Sequence, residues 1–204
     1  MIDLSTWIAF CVTEATLALT PGPAVLFVVS AALARGAGPG VAAALGILAA
    51  NAFYFAVSAT GIAAVIVASS EVFTVLKLGG AAYLVWTGIR MLRGARGTAA
   101  PPARPDVGRS FVRGFVVQGA NPKALVFFVA LLPQFIDPQR PVAPQILVLG
   151  VSSVVIELAA LVLYVFVAVR GRRLAGARLA GPLERAGGAL LVAAGVRLAL
   201  VRSD

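Results

Sequence analysis

Long apolar runs separated by short polar stretches dominate the sequence. Six runs can be drawn, at about 5–33, 39–68, 71–93, 112–136, 143–169 and 182–201. A membrane-spanning helix needs about 20 mainly apolar residues, and each run reaches that length. The pattern therefore predicts an all-α integral membrane protein with six transmembrane helices.

Proline motifs interrupt the first and fourth runs, about one hundred positions apart. The motifs are Thr20-Pro21-Gly22-Pro23 and Asn121-Pro122-Lys123. Proline removes a backbone donor and clashes with the preceding turn, so each helix kinks or splits there. Two breaks at corresponding places point to a transporter built from repeats, with its site at the breaks. A simple kink is the alternative, since proline is fairly common in transmembrane helices.

A stretch rich in Gly, Pro and Arg separates the third and fourth runs and divides a single transmembrane domain, residues 1–204, into halves. Because the first half has an odd number of membrane spans, the second half starts on the opposite side of the membrane and is inverted relative to the first. We therefore predict two inverted repeats at about 1–93 and 112–204, joined by a linker at about 94–111. Residues that match at one offset support them: Gly80, Gly88 and Arg90 fall on Gly187, Gly195 and Arg197.

Positive charge is concentrated in the first, third and fifth loops. They hold 12 cations, against 4 on the opposite side. The positive-inside rule makes these loops cytoplasmic and puts both termini on the external side. A net charge of +9 does not indicate nucleic-acid binding, because the arginines are not interleaved with aromatic residues on one face.

Composition excludes several classes of protein. Charged residues make up 12% of the chain, against about 25% in soluble domains. There is no histidine and Cys11 is the single cysteine, which disfavours a metal site and a redox pair. No phosphate loop or hydrolase motif occurs, so we expect neither an enzyme nor a cofactor. The N-terminus lacks the basic region of a signal peptide, so the first run should be retained.

The residues at the breaks are suited to anion binding. Thr20 and Asn121 are good helix N-caps, and proline is favoured as the first helical residue. Each pair would start a half-helix whose free N–H groups face a cavity and bind a carboxylate. Lys123 would be the counter-charge, because a lysine within a membrane helix usually faces a cavity. Alternatively, Lys123 snorkels to the cytoplasmic interface, as Lys77 is expected to do on the external side.

Glu14 and Glu157 are the acids in the interior of the runs, away from their ends. A carboxylate in an apolar environment can be protonated near neutral pH, so both are candidates for proton coupling or for binding a substrate ammonium. The alternative is a buried ion pair with Lys123 that only holds helices together. Asn51 and Gln118 are expected to form hydrogen bonds between helices, with lining of the site as a second role.

Motifs spread over the whole chain resemble those of the lysine-exporter superfamily, particularly its homoserine/threonine efflux branch (LysE/RhtB). The matching features are Thr20-Pro21-Gly22-Pro23 after an acid, the glycine-rich stretch 36–46, residues 77–88, Asn121-Pro122-Lys123 with Phe127 and Phe128, and Pro133-Gln134-Phe135. In place of a polar residue often found after Pro-Gly-Pro, this chain has Ala24. Either the substrate is less polar than lysine or another residue supplies that contact.

The resemblance implies a secondary transporter in a bacterial inner membrane that exports amino acids or related metabolites, driven by protons. It also suggests a homodimer. Three other interpretations remain: efflux of a metal or inorganic ion, disfavoured by the absence of histidine; a membrane redox protein, disfavoured by the single cysteine; and a non-transporting membrane scaffold.

Overall fold

The computed structural model describes residues 2–60, 70–94 and 106–175, together with scattered helical positions between 182 and 200. These residues form helices, turns and short connections without a strand, which confirms the all-α prediction for this part of the chain. The helices are α1 Leu4–Leu19, α2 Pro23–Arg35, α3 Ala37–Ala59, α4 Ser70–Gly94, α5 Val107–Gly119, α6 Pro122–Val126 and α7 Val142–Ala175. Helix α6 continues as a π-helical turn, Phe127–Leu131, and a 3₁₀ turn, Leu132–Phe135.

Two described helices are long and apolar enough to cross a membrane, at Ala37–Ala59 and Val142–Arg172. A third span arises if α1 and α2, which are bent by 50° at the first break, count as one. Exposed apolar side chains run along α7, as expected of a surface in contact with lipid: Leu147, Val151, Val155, Val162 and Phe166. The six-span arrangement in two inverted repeats stays a prediction.

Several sequence predictions fall on residues that the structure does not describe. They include most of the linker, the matching positions Gly187, Gly195 and Arg197, and the side chain of Lys77.

The first break differs from the prediction. Thr20 is the C-cap of α1, and its hydroxyl donates 2.7 Å to the carbonyl oxygen of Thr16. Helix α2 begins at Pro23, with extended Gly22 as its N-cap. The expectation that Thr20 and Pro21 start the half-helix is therefore wrong. Pro21 and Pro23 are both compatible with the first position of a helix. Pro23 occupies it, because the hydroxyl of Thr20 donates to the Thr16 carbonyl in the preceding turn and does not cap the following helix.

The second break follows the prediction. Helix α5 ends at Gly119, and Asn121 is the N-cap of α6. The side-chain oxygen of Asn121 accepts a 3.1 Å hydrogen bond from the backbone N–H of Lys123. Pro122 is the first helical residue, where its missing N–H costs nothing.

Both broken segments begin with an aspartate cap. Asp3 accepts hydrogen bonds from the hydroxyl and backbone N–H of Ser5, and these bonds hold the pKa of its carboxyl below the ordinary value. Asp106 accepts a 2.9 Å hydrogen bond from the N–H of Arg109. A carboxylate at this position satisfies one of the free N–H groups of the first helical turn.

Small residues let two helices touch at their backbones. A methyl group added at Gly46 on α3 would overlap the carbonyl oxygen of Phe111 on α5. A methyl group at Gly114 on α5 would likewise overlap the carbonyl oxygen of Ala43. Helices pack this closely in membranes where small residues line the interface. The contact fixes α5, and hence the second break, against α3.

Two apolar clusters are separated along the long helices. The aromatic cluster comprises Phe10, Phe55, Phe127, Phe128, Leu132, Ile146 and Leu149. The alanine-rich cluster includes Ala24, Ala31, Ala32, Ala43, Ala44, Ile47, Leu161, Val165 and Ala168. Along α7, Leu149 belongs to the first cluster and Leu161 to the second. Between them, Ser153 and Glu157 face the region where the two helix breaks meet.

Candidate functional site

A small polar cavity lies between the aromatic and alanine-rich clusters. Its polar lining consists of Glu14, Asn51, Gln118, Lys123 and Glu157, together with apolar residues that include Ala18, Ala124, Phe127 and Phe128. The cavity measures about 30 Å³. That volume holds one or two water molecules and is too small for an amino acid. In the described conformation the polar residues therefore leave no space for a substrate between them.

A chain of hydrogen bonds connects the second break to α7. Asn121 donates 2.9 Å to the side-chain oxygen of Gln118, and Gln118 donates 2.7 Å to the side-chain oxygen of Asn51. Asn51 in turn donates to the carboxylate of Glu157. The amides thus bond between helices, and Asn51 and Gln118 also line the cavity. Because buried amides need partners, this chain fixes the orientation of each side chain.

Lys123 joins the two breaks. Its ammonium donates to the carbonyl oxygen of Leu17 and, at 3.1 Å, to that of Thr20, both at the C-terminal end of α1. The Leu17 carbonyl also accepts a 3.1 Å hydrogen bond from the N–H of Thr20, and the negative end of the helix dipole lies there. In the part of the chain that the structure describes, no ion pair joins Lys123 to Glu14 or Glu157. The cation is held by backbone dipoles.

Glu14 has a partner that the sequence did not single out. The hydroxyl of Ser153 on α7 donates 2.6 Å to the carboxylate of Glu14 on α1. Both side chains are buried, at 1% exposure for Ser153 and 6% for Glu14. One serine among the small residues of an apolar run gives no signal by itself. Its position one turn before Glu157 is the cue that could have found it, since such residues share a helix face.

Two tyrosines that sequence reasoning missed bond to the ends of the broken helices. The hydroxyl of Tyr54 on α3 donates 2.6 Å to the carbonyl of Gly119, the last residue of α5. The hydroxyl of Tyr164 on α7 donates 2.7 Å to the carbonyl of Leu19, the last residue of α1. Each break is thus tied to a neighbouring long helix by one phenol.

The other residues of the first break lie beside the cavity. Pro21, Gly22 and Pro23 are absent from its lining, and Thr20 takes part through its carbonyl oxygen alone. A methyl group at Gly22 would lie 3.9 Å from the Cδ of Lys123, so the two breaks are in contact. At the second break, Pro122 begins the helix that carries Lys123.

The π-helical turn adds an aromatic wall. Phe127 and Phe128 line the cavity and belong to the aromatic cluster, with their ring centroids 5.0 Å apart. Phe128 also packs on Tyr54, with 4.8 Å between ring centroids. A π turn disrupts regular helical hydrogen bonding and is frequent at functional sites.

The described residues contain no group of three or more His, Cys, Asp or Glu side chains that could hold a metal ion. The two glutamates, one lysine and two amides of the cavity combine opposite charges with neutral donors and acceptors. Such a set can bind a small molecule that carries both an anionic and a cationic group.

Comparison with known proteins links this arrangement to transport. The family described as LysE type translocator matches residues 15–202. The chain is 30% identical to an uncharacterized membrane protein of Vibrio cholerae, over 99% of this chain and 100% of that protein. It is 32% identical to a homoserine/homoserine lactone efflux protein of Salmonella typhimurium, over 96% of this chain and 97% of the relative. A leucine efflux protein of the same organism is 32% identical over 60% of this chain and 59% of its own length. No solved structure matches.

Proposed function

Since this chain belongs to the LysE-type translocators, which are membrane transporters and not enzymes, we propose that it exports amino acids or closely related metabolites from the cytoplasm. The observation that carries the proposal is the polar cavity where the two helix breaks meet. It places one lysine and two glutamates around one cavity between apolar clusters. Charged residues within membrane segments are costly and mark transport pathways.

The charges of the cavity are complementary to a zwitterion. A substrate carboxylate would take the place of the Leu17 and Thr20 carbonyls as the partner of Lys123. The substrate ammonium would bind Glu14 or Glu157. A charge-assisted hydrogen bond contributes about 1.5–3 kcal/mol, so these groups can determine affinity. The amides of Asn51 and Gln118 would bond to the remaining polar groups.

The small cavity fits a mechanism of alternating access. An amino acid fits between the polar residues only if the helices around them move apart, because the present volume of about 30 Å³ excludes it. The aromatic cluster would close the external side and the alanine-rich cluster the cytoplasmic side. Rocking of one repeat against the other would open them in turn.

Reciprocal contacts support the two inverted repeats. Tyr54, on the second run of the first half, bonds to the broken helix of the second half. Tyr164, on the second run of the second half, bonds to the broken helix of the first half. Asn51 and Glu157 lie on the same pair of helices, α3 and α7, and bond to each other. Contacts exchanged between halves in this way are expected of a pseudo-two-fold axis.

Proton coupling is assigned to Glu14 and Glu157. Glu14 is buried and Glu157 is half-buried beside apolar residues of the cavity, where a carboxyl group can bind and release a proton during the transport cycle. The chain has no histidine to take this role. Uptake of an external proton by either glutamate would weaken its attraction for the substrate ammonium and favour release outside.

We propose that the substrates are neutral amino acids or their derivatives, because relatives are named for homoserine and leucine efflux. Ala24, the position that often carries a polar residue in the superfamily, is buried in the alanine-rich cluster. It does not line the cavity, so the polar contacts of the substrate come from other residues.

The proposed orientation has the arginine-rich end in the cytoplasm of a bacterial cell, with both termini outside and the protein in the inner membrane. Arg35, Arg90 and Arg113 come from three different helices and line one cavity, which supports one cytoplasmic face. Arg140 lies in the connection at the other end of α7. Reporter fusions at each terminus would test the orientation.

We also propose that the chain forms a homodimer, because it resembles the superfamily.

The export function is tested by an untargeted comparison of the culture medium of cells with and without this chain. We expect one or a few amino acids or related metabolites to accumulate outside the expressing cells. The matched control is Lys123→Ala at the same membrane abundance, which should behave like the empty cells. Identical media for all three strains would favour the membrane scaffold.

A further inference from the structure

A second, larger cavity opens at the arginine-rich end of the molecule. It measures about 160 Å³, and it lies between α2, the C-terminal part of α4 and the middle of α5. Its lining consists of Phe27, Ser30, Ala31, Arg35, Trp86, Thr87, Arg90 and Arg113. No residue lines both this cavity and the polar cavity of the proposed transport site. The two are separate sites.

Among the described residues, the cationic charge of this cavity has no acidic counterpart. Arg35, Arg90 and Arg113 come from three helices, and the lining contains no acidic residue. Within the described ranges, no carboxylate forms an ion pair with any of the three guanidinium groups. Like charges gathered at a partly buried site repel one another, which destabilises the fold unless an anion neutralises them.

A buried hydroxyl is available to the same space. Thr87 is 6% exposed, and its hydroxyl oxygen has no hydrogen-bond partner among the described residues. Helical threonines elsewhere in this chain behave differently, since the hydroxyls of Thr13 and Thr16 donate to carbonyls one turn earlier, each at 2.8 Å. An unpartnered buried hydroxyl destabilises the fold unless a ligand satisfies it.

One wall of the cavity reaches the surface. Trp86 is 49% exposed, and the guanidinium of Arg90 lies 4.9 Å from the centre of its ring system. Tryptophan is enriched at the membrane–water interface. The stacking restrains the guanidinium without consuming its hydrogen-bond donors, which stay free for an anion.

We propose that this cavity binds a phosphate-type anion, either the headgroup of an anionic lipid or free phosphate. Guanidinium groups bind phosphate oxygens in bidentate fashion, and basic pockets between transmembrane helices bind lipid headgroups. The hydroxyl of Thr87 would donate to one of the oxygens. A zwitterionic amino acid fits poorly, because its ammonium would face three guanidinium groups with no carboxylate nearby.

The test is the thermal unfolding of the purified full-length chain in neutral detergent, with probes added in increasing concentration. The probes are phosphatidylglycerol, inorganic phosphate and, as the uncharged control, phosphatidylcholine. We expect phosphatidylglycerol or phosphate to raise the unfolding temperature of the wild type more than phosphatidylcholine does. Arg113→Gln should lower the affinity for the stabilising probe about ten-fold or more, and Thr87→Val should lower it several-fold. The matched control is Arg170→Gln, an arginine outside the cavity lining that stacks on Phe166.

Two features keep the test decisive. Thr87→Val removes an unpartnered hydroxyl, so without a probe it should unfold at or above the wild-type temperature. Stabilisation by phosphatidylglycerol alone assigns the site to a lipid, and stabilisation by inorganic phosphate as well assigns it to the free anion. The proposal is overturned if neither probe exceeds phosphatidylcholine, or if Arg113→Gln and Thr87→Val bind as tightly as Arg170→Gln.

Discussion

At the scale of single residues, Lys123 and Glu14 carry the charges around which the polar cavity is organised. Lys123 holds the C-terminal carbonyls of α1, and Glu14 on the same helix bonds to Ser153. Neither charge is neutralised by an ion pair in the described conformation. Both can therefore exchange their present partners for a substrate without breaking a strong ion pair.

Replacing Glu14 by glutamine should abolish export. The amide keeps the size and a hydrogen bond to Ser153 but lacks the charge that binds an ammonium or a proton. We expect export to fall at least about ten-fold, as for the loss of a charge-assisted hydrogen bond. Membrane abundance should be unchanged, as measured by immunoblot. Asp137→Asn, in an exposed connection, is the control and should export normally; normal export by Glu14→Gln would remove that residue from the site.

Ser153→Ala should lower export without abolishing it, because it removes the 2.6 Å hydrogen bond that orients Glu14 but leaves the carboxylate in place. A several-fold fall in the transport rate at matched abundance is expected. The neighbouring Ser152, whose hydroxyl bonds to the Val148 carbonyl, provides the control. If Ser152→Ala and Ser153→Ala transport equally, the orienting role of Ser153 is wrong.

At the scale of helices, the breaks are defined by contacts as much as by proline. Each half-helix that precedes a break ends in a carbonyl bonded to a tyrosine on α3 or α7. Proline supplies the interruption, and the phenols hold the resulting ends in position. The four groups form two ties, each of which connects a long helix of one half of the chain to the broken helix of the other half.

Tyr54→Phe and Tyr164→Phe should each lower the free energy of unfolding by about 0.5–1.5 kcal/mol, the usual contribution of one hydrogen bond. Their effects should be similar because the two ties are equivalent. Denaturation in detergent measures the free energy of unfolding. Labelling with a probe at each end of the polar cavity measures how often the cavity opens. Tyr83→Phe is the control, because its ring packs on Trp86 away from the breaks. A stability loss confined to one of the two ties would contradict their equivalence.

The contact between α3 and α5 depends on the absence of side chains. Gly46→Ala or Gly114→Ala would place a methyl group on backbone atoms of the facing helix and force the helices apart. We expect a loss of about 1–3 kcal/mol, as for overpacking of a core. The matched control is Gly38→Ala, where an added methyl group meets no atom within 4 Å. Equal stability of the three variants would contradict the close packing.

At the scale of the whole molecule, the sequence predicts the apolar runs, the two breaks and the polar side chains between them, because each leaves a local signal. Charged and amide residues stand out within apolar runs, and five of them line one cavity: Glu14, Asn51, Gln118, Lys123 and Glu157. Partners are not local. The tie of Tyr164 to Leu19 and the bond of Ser153 to Glu14 depend on which helices become neighbours.

The cap at the first break shows a different limit. Thr20 and Gly22 both precede a proline, so the pattern of residues fits a helix that starts at either position. The choice depends on the backbone, in which Thr20 closes α1 and Gly22 is extended. Similarly, the arginines of the second cavity were predicted to define the cytoplasmic side, and their convergence from three helices required the fold.

The central claim, that the polar cavity carries amino acids across the membrane, is tested most directly by efflux from proteoliposomes. Vesicles containing the purified chain would be loaded with a panel of labelled neutral amino acids, and loss of label would be followed across a pH gradient. Our account predicts that the wild type releases at least one of them faster than protein-free vesicles, and that Lys123→Ala does not. Equal release by Lys123→Ala and the wild type, or by the wild type and empty vesicles, would contradict it.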